Sequence, residues 1–363
     1  MNVLTIIILC LFYICCFIIL YTALIAKIKN EKAAYHNNMA NFLILTISIT
    51  INLITTNIFY LSKISFIVFP FDILIIGFVI LFLPIYLFLI YNENMKQKKV
   101  NKENLTFGYS LSNQLPLKFE IYRKLTHIVV LCIVLFYFTL GFWTQHFFVY
   151  IFDLLPKEIS DIFYSIFSIK DDVMIFTQYL VVFLVGISLF GLLAADFTRI
   201  IIPSLYPLKK VNRILREKEQ YLRLGPQISM AIGCFSIIIL YGLFQPIGPL
   251  IICVSMTMAI FGDMTANLIG RLYGKRKIRN TEKTYEGLFF GIITALLSGY
   301  IFLIIIDAIK IINLTLIIII PVIGAIIIGF LDFADLKIDD NLTFPFVVST
   351  ILFFTTSIIT YWT

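Results

Sequence analysis

Charge is what this chain has least of. Only 13% of its 363 residues are Asp, Glu, Lys or Arg, against about a quarter in an average soluble domain. Histidine occurs three times and tryptophan twice. The six cysteines (Cys10, Cys15, Cys16, Cys132, Cys234 and Cys253) show neither metal spacing nor a disulfide framework. All six fall in apolar stretches and read as small buried hydrophobes. No GxxxxGK[ST] loop is present, which excludes a Walker-type phosphate cradle. The N-terminus has no basic n-region, no convincing cleavage site and none of the Arg- and Ser-rich composition of a transit peptide. Being apolar from residue 3, it reads as a first helix. There is no persuasive internal repeat.

What fills the chain instead is hydrophobic sequence, 60% of all residues. Apolar runs of membrane-spanning length recur throughout, each able to cross a hydrocarbon core of ~30 Å. Lipid offers no hydrogen-bond partners, so such runs must be helices. The expected architecture is therefore all-α: a polytopic transmembrane helical bundle of about ten helices. The runs fall near 3–26, 40–61, 66–91, 127–149, 173–195, 227–244, 247–269, 287–307, 313–331 and 343–361. Pro84, Pro321 and Gly324 interrupt spans, as is common in membrane helices.

The basic residues test this count. Of the 28 Lys and Arg, 24 fall in odd-numbered loops and four in even-numbered ones. The positive-inside rule then puts the odd loops in the cytoplasm and both termini on the non-cytoplasmic side. The same distribution explains the net charge of +7 without nucleic acid: the cations sit in short loops, as topology determinants and phosphate ligands. Residues 1–91 form an N-terminal three-helix membrane module, 92–119 a polar cytoplasmic linker and 120–363 the core. Asp72, just after Pro70, either faces lipid at high cost or lies at the outer interface.

Four polar constellations lie on loops three, five, seven and nine, and so share one face. The first is "EIYRKLTH", Glu120–His127, entering the fourth span. Arg123 and His127 lie one turn apart, with Lys124 beside them. Arg pairs bidentately with phosphate, and His binds phosphate or moves a proton. Ordinary basic flanking of a span is the plainer account. The second is Asp196-Phe197-Thr198-Arg199 at the end of the fifth span. This pair either neutralises itself or marks function, since ionisable groups at such depth are functional candidates. The segment "NRILREKEQYLR" after it reads as a basic interfacial helix.

The third constellation, "FGDMTANLIGRLYGKRKIRNTEKTYEG", is the most informative. Asp263 and Asn267 share a helical face just after Gly262. Gly270, Gly274 and Gly287 permit close backbone approach to a ligand. Arg271, Lys275, Arg276, Lys277 and Lys283 together offset the charge of a triphosphate. A lone aspartate at the head of such a cluster suits Mg²⁺, which takes one or two carboxylates and completes its shell with phosphate oxygens. The fourth, "DFADLKIDDNLTFP", holds four aspartates between Asp332 and Asp340. It serves Mg²⁺ ligation, a base for an alcohol proton, or a solvated turn in which Asp339 or Asp340 caps the last helix.

With these motifs in view, the chain resembles the CTP-dependent polyprenol kinases, the dolichol kinase and phytol kinase group related to CDP-diacylglycerol synthases. "RKLTH", "GDMTANLIGRLYGKRK…EKTYEG" and "DDNLTFP" carry the resemblance, which covers 120–363 and not the first three helices. It implies Asp263 as a Mg²⁺ ligand together with Asp340, and Lys275, Lys277 and Lys283 on the triphosphate. Thr284, Glu286 and Gly287 would shape the nucleotide loop, with Gly262, Asn267, Gly270, Arg271, Gly274 and Asn341 completing the nucleotide site. Arg123, Lys124 and His127 would join the catalytic centre, with Asp340 and His127 both candidates for the base. CTP as phosphoryl donor, an isoprenoid lipid alcohol as acceptor and a cytoplasm-facing site in a multi-pass protein follow from the resemblance. The glycine-rich "PGHGG…DR" segment of the CDP-diacylglycerol synthases is absent, which favours phosphoryl over cytidylyl transfer. Rival expectations are a phosphatidate cytidylyltransferase-like enzyme, a diacylglycerol kinase and, outside enzymes, a transporter. A transporter would hold its charges near mid-membrane in paired halves.

Overall fold

The computed structural model describes residues 3–57, 67–99, 117–167, 173–208, 215, 221–279 and 281–362. Among them the regular structure is helical, apart from one isolated antiparallel bridge between Lys277 and Thr284. The helices are α1 (Val3–Ile28), α2 (Lys32–Asn57), α3 (Phe71–Lys99), α4 (Leu117–Leu135), α5 (Leu140–Asp153), α6 (Lys157–Phe167), α7 (Val173–Ile201), α8 (Pro226–Tyr241), α9 (Ile247–Tyr273), α10 (Tyr285–Ile305), α11 (Leu314–Ala334) and α12 (Asp340–Trp362). Nine of these are long and apolar enough to cross a membrane. The tenth expected span is the shorter apolar α8, whose 16 residues reach about 24 Å. The result is an all-α polytopic membrane bundle.

The fourth expected span needs correction. Its helix begins at Leu117, ten residues before the expected 127, so Arg123, Lys124 and His127 lie inside α4 rather than at its mouth. It also does not run on to 149. A 3-10 turn at Phe136–Phe138 ends it, and α5 starts afresh. The cause is close packing on α7: a Cβ on Gly141 would stand 2.4 Å from the Phe136 carbonyl oxygen and from the Thr177 methyl group. The amphipathic α6 was not expected at all. The expected interfacial helix "NRILREKEQYLR" falls largely outside the described residues, as does most of the 92–119 linker. Asp72 does not face lipid: it is buried in the first turn of α3, where a carboxylate favours the helix dipole.

Charge plays almost no part in the centre of the bundle. α8 and α9 are nearly sheathed by their neighbours, and Ile232, Phe235, Leu250, Ile252 and Met256 are fully buried. α10 crosses α9 closely, because the contact is made by residues without side-chain bulk. A Cβ on Gly291 would meet the Ala266 Cβ at 2.8 Å, and one on Gly287 would meet the Ala266 carbonyl oxygen at 2.6 Å. Small residues are what let membrane helices approach and gain dispersion contacts where no hydrophobic force acts between them. The α2 helix adds polar ties to this apolar bundle. Asn38 donates to the Leu222 carbonyl at 2.8 Å and accepts from the Leu224 amide at 3.0 Å. Asn52 donates to the Ile239 carbonyl at 2.5 Å.

The α9–α10 crossing yields a direct test. Gly287→Ala places a methyl group against backbone that cannot yield. It is expected to cost roughly 1–3 kcal/mol, the usual toll of overpacking, read as a lower thermal midpoint of the detergent-solubilised protein. An unchanged midpoint would show that the crossing has slack.

Candidate active site

One membrane face carries a cavity of about 400 Å³. The ends of α4, α9, α11 and α12 converge there, with the loop before α8 and the hairpin between α9 and α10. Its walls gather Arg123, Lys124, Arg223, Asp263, Asn267, Gly270, Arg271, Lys283, Thr284, Asp332, Asp339, Asp340 and Asn341. The alternation of the helices brings these segments together and leaves the start of α1 and the end of α12 at the opposite face.

The centre is a charge pair between two distant helices. Lys124 Nζ of α4 donates to Asp263 Oδ2 of α9, and both side chains are largely buried. Asn267, one turn on, donates to Asp263 Oδ1 at 2.6 Å and to the Asp263 carbonyl at 2.9 Å. The Asp263 carboxylate is thereby fixed on both oxygens. Arg123 pairs with Glu120, whose other oxygen lies 3.4 Å from Arg271 of α9. Glu120 is fully buried, so a second α4–α9 bridge runs parallel to the first.

The hairpin forms the next wall. Gly274 ends α9, and the chain returns through the bridge between Lys277 and Thr284. The Ile278 amide donates to the Lys283 carbonyl at 2.8 Å, and the Tyr285 amide to the Arg276 carbonyl at 3.0 Å. Thr284 caps α10 by accepting from the Gly287 amide at 3.2 Å. Glu286 accepts from the Lys275 and Arg276 amides at 3.2 and 3.3 Å. Arg279 lies over the Phe333 ring at 5.0 Å, a cation–π contact that ties the hairpin to α11.

Lys283 projects from this hairpin into a group of acids. Its Nζ lies 2.9 Å from Asp332, 3.2 Å from Asp335 and 3.1 Å from Asp340. Burial works to lower the Lys283 pKa, but the three carboxylates, Asp340 first, more than offset it and hold it above the ordinary lysine value. Across the cavity, Asp339 caps the start of α12: its Oδ1 accepts from the Asn341 amide at 3.0 Å and from Asn341 Nδ2 at 2.6 Å. Burial pushes the Asp339 carboxyl up, while the Arg223 charge and the Asn341 amide outweigh it and hold Asp339 below the usual carboxylate range.

Of the residues expected from sequence, Arg123, Lys124, Asp263, Asn267, Gly270, Arg271, Lys283, Thr284, Asp340 and Asn341 line the cavity. His127 does not. It is buried one turn below Lys124, and its Nε2 finds no hydrogen-bond partner among the described residues. Lys275 and Lys277 are exposed on the hairpin. Of the three glycines expected to permit ligand approach, Gly270 lines the cavity, Gly287 packs in the α9–α10 crossing, and Gly274 makes room for Thr284, whose Oγ1 a Cβ would meet at 2.5 Å. Asp196 and Arg199 pair with each other, and beyond that they hold the turn that leads into α8. Arg199 donates to the Arg223 carbonyl at 2.6 Å, and Asp196 accepts from the Gly225 amide at 2.9 Å.

Sequence reasoning missed Glu120, Arg223, Asp339 as an Arg partner, and Asn37. A signal was present for the last: Asn37, Asn38 and Asn41 stand within five residues at the head of an apolar helix, where polar groups are costly and therefore informative.

For Mg²⁺, the donor set is of the right kind. Asp263, Asp332 and Asp340 supply hard carboxylate oxygens to one cavity and feel one another's charge. Among the described residues no three His, Cys, Asp or Glu side chains gather closely enough to cage an ion. That arrangement fits a cation held by one or two carboxylates and a bound phosphate, and not one held by protein alone.

A polytopic membrane protein with a recessed, densely charged cavity at one face is a class suited to joining a polar nucleotide to a lipid. The sequence model of the cytidylyltransferase family matches residues 121–335, more than half of the chain, and the protein belongs to this family. At that level it is a CTP-related membrane transferase. No curated protein and no solved structure matches the chain.

The Asp339 environment predicts a pH dependence. A carboxyl held below its unfolded value adds stability above about pH 4, lost as pH falls through its native pKa. Wild type and Asp339→Asn are expected to differ in thermal midpoint by a constant amount from about pH 5 to 8 and to converge below about pH 4. A gap that widens on acidification would contradict the assignment.

Proposed function

We propose that the protein transfers the γ-phosphoryl group of CTP to the hydroxyl of a membrane isoprenoid alcohol of the dolichol or polyprenol type, at the cytoplasmic face. The observation that carries this reading is Asp340, a carboxylate at the start of α12 that opens into the same cavity as Asp263 and Lys283. Cytidylyl transfer to a phosphate lipid uses a nucleophile that is already ionised and needs no base. An alcohol has to lose a proton, and a carboxylate in the cavity provides the acceptor. The "DDNLTFP" segment around it, standing where CDP-diacylglycerol synthases carry a glycine-rich motif, points the same way.

In this reading Lys283, Arg271 and the Thr284-capped hairpin bind the triphosphate and offset its charge, with Lys275 and Lys277 at its rim. Mg²⁺, held by Asp263 with phosphate oxygens, would supply further charge neutralisation, which leaves Asp340, the second expected ligand, for the proton. The alcohol oxygen forms the new bond to the γ-phosphorus, the bond from that phosphorus to the bridging oxygen breaks, CDP departs and the alcohol proton goes to Asp340. Such chemistry is largely positioning and electrostatics. Asp340 lines the cavity and His127 lies beneath it, so Asp340 is the better-placed base. Diacylglycerol is the alternative alcohol, and CDP-lipid formation the alternative reaction.

Purified protein given γ-labelled CTP, Mg²⁺, and a panel of polyprenols, geranylgeraniol, diacylglycerol and phosphatidate is expected to move label into an isoprenoid lipid. Label released as pyrophosphate beside a CDP-lipid would establish cytidylyl transfer instead. Asp263→Ala is expected to abolish turnover in a protein that still inserts, and Asp340→Asn to lower kcat by about 10²–10⁴-fold. Normal turnover in either would remove that residue from the chemistry.

A further inference from the structure

Arg223 lines the cavity, with Asn37 and Asp339 beside it, two residues that lie outside the family match. Arg223 stands at a bend in the non-helical segment before α8 and is 7% exposed. Among the described residues, the neighbouring cations of the site have close partners: Arg123 has Glu120, Lys124 has Asp263, and the partly buried Lys283 has three carboxylates. Arg223 is held loosely. Its Nη2 lies 3.7 Å from Asp339 Oδ2 and donates to Asn37 Oδ1 at 3.5 Å, both long for a hydrogen bond. Its Nε finds no partner among the described residues, nor does the buried Nδ2 of Asn37.

Asp339 does not make up this deficit, because its other oxygen is already committed to Asn341. A guanidinium carries five donors in a fixed fork that matches phosphate, and burying one with its donors unmet is costly. The backbone around it is nevertheless anchored by three side chains. Arg199 holds the Arg223 carbonyl, Asn38 holds Leu222 and Leu224, and Asp196 holds the Gly225 amide, while Asn37 Oδ1 also accepts from the Asp339 amide at 3.0 Å. An underpaired cation on a rigid mount, facing a cavity, is built for an anion that arrives from outside.

We infer that Arg223, tethered by Asn37 of α2, is a phosphate-binding residue of this site, so that the N-terminal helices complete the cavity. The ligand chemistry is a phosphate oxygen, borne either by the nucleotide or by a phosphorylated lipid. The inference rests on the cavity being a phosphate-handling site and is indifferent to which transfer reaction occurs there.

Binding rather than turnover therefore tests it. Inorganic tripolyphosphate and a short-chain prenyl monophosphate are titrated separately into the full-length protein in detergent, and Kd is read by calorimetry. Arg223→Gln is expected to weaken at least one of the two by roughly 10–100-fold, in line with a charged hydrogen-bonding pair, and Asn37→Ala to weaken the same one by a smaller factor. Loss on tripolyphosphate assigns the residue to the nucleotide, and loss on the prenyl phosphate assigns it to the lipid. Wild-type Kd for both ligands in a folded Arg223→Gln protein would overturn the inference. If that variant fails to fold, unchanged Kd values in Asn37→Ala would overturn it equally. The expected binding losses alongside a negative labelled-CTP assay would leave this inference standing and remove the kinase reading alone.

Discussion

The structure depends on the rule that charge at membrane depth has to be matched. The Lys124–Asp263 pair does this between α4 and α9, and Glu120 repeats it with Arg123 and Arg271. Removing either member of such a pair leaves the other buried and uncompensated, which is why paired sites tolerate single substitutions poorly. The pairs also decide where the helices stop relative to one another. α4 cannot slide along α9 without exposing four ionised groups to hydrocarbon, so the register of the whole cavity follows from two salt bridges. Stability and site geometry are here the same contacts.

A second constraint is set by what is missing from side chains. Gly262, Gly287 and Gly291 bring α9 and α10 together closely enough for the hairpin between them to close in a single bridge. Thr284 then caps α10 and Glu286 holds the hairpin backbone. Together they shape the loop that presents Lys283. Loop-building and ligand-binding residues occur in one motif because a loop at a membrane face has little else to hold it.

Much of this was legible in the sequence, for identifiable reasons. The ten apolar spans and the parity of their loops follow from composition, since lipid permits little besides helices. The cavity-facing Asp263, Lys283 and Asp340 were found because an ionised residue in a 13%-charged chain stands out. Other features left no such mark. The break between α4 and α5 depends on Gly141 meeting α7, a tertiary contact between residues that composition treats as unremarkable apolar sequence. The mutual use of Asp196 and Arg199 to grip backbone, and the role of α2, involve partners far apart in the chain: Asn37 and Asp339 are separated by 302 positions. Periodicity and spacing are local, and a long-range hydrogen bond is invisible to both. The residues expected at the site also divided by a criterion the sequence does not carry, namely which side of α9 and the hairpin faces inward.

The brevity of α8 has a consequence for how the protein meets its surroundings. At about 24 Å against a hydrocarbon thickness of ~30 Å, it falls short of a full crossing. A non-helical stretch from Tyr221 to Gly225, opening in a turn, precedes it, its backbone satisfied by Arg199, Asp196 and Asn38. Non-helical chain at such depth survives only where protein encloses it or a polar hollow adjoins it. Arg223 of this stretch lines the cavity, so the shortened helix and the polar hollow occur together: the chain gives up helical length where it makes room for charged groups.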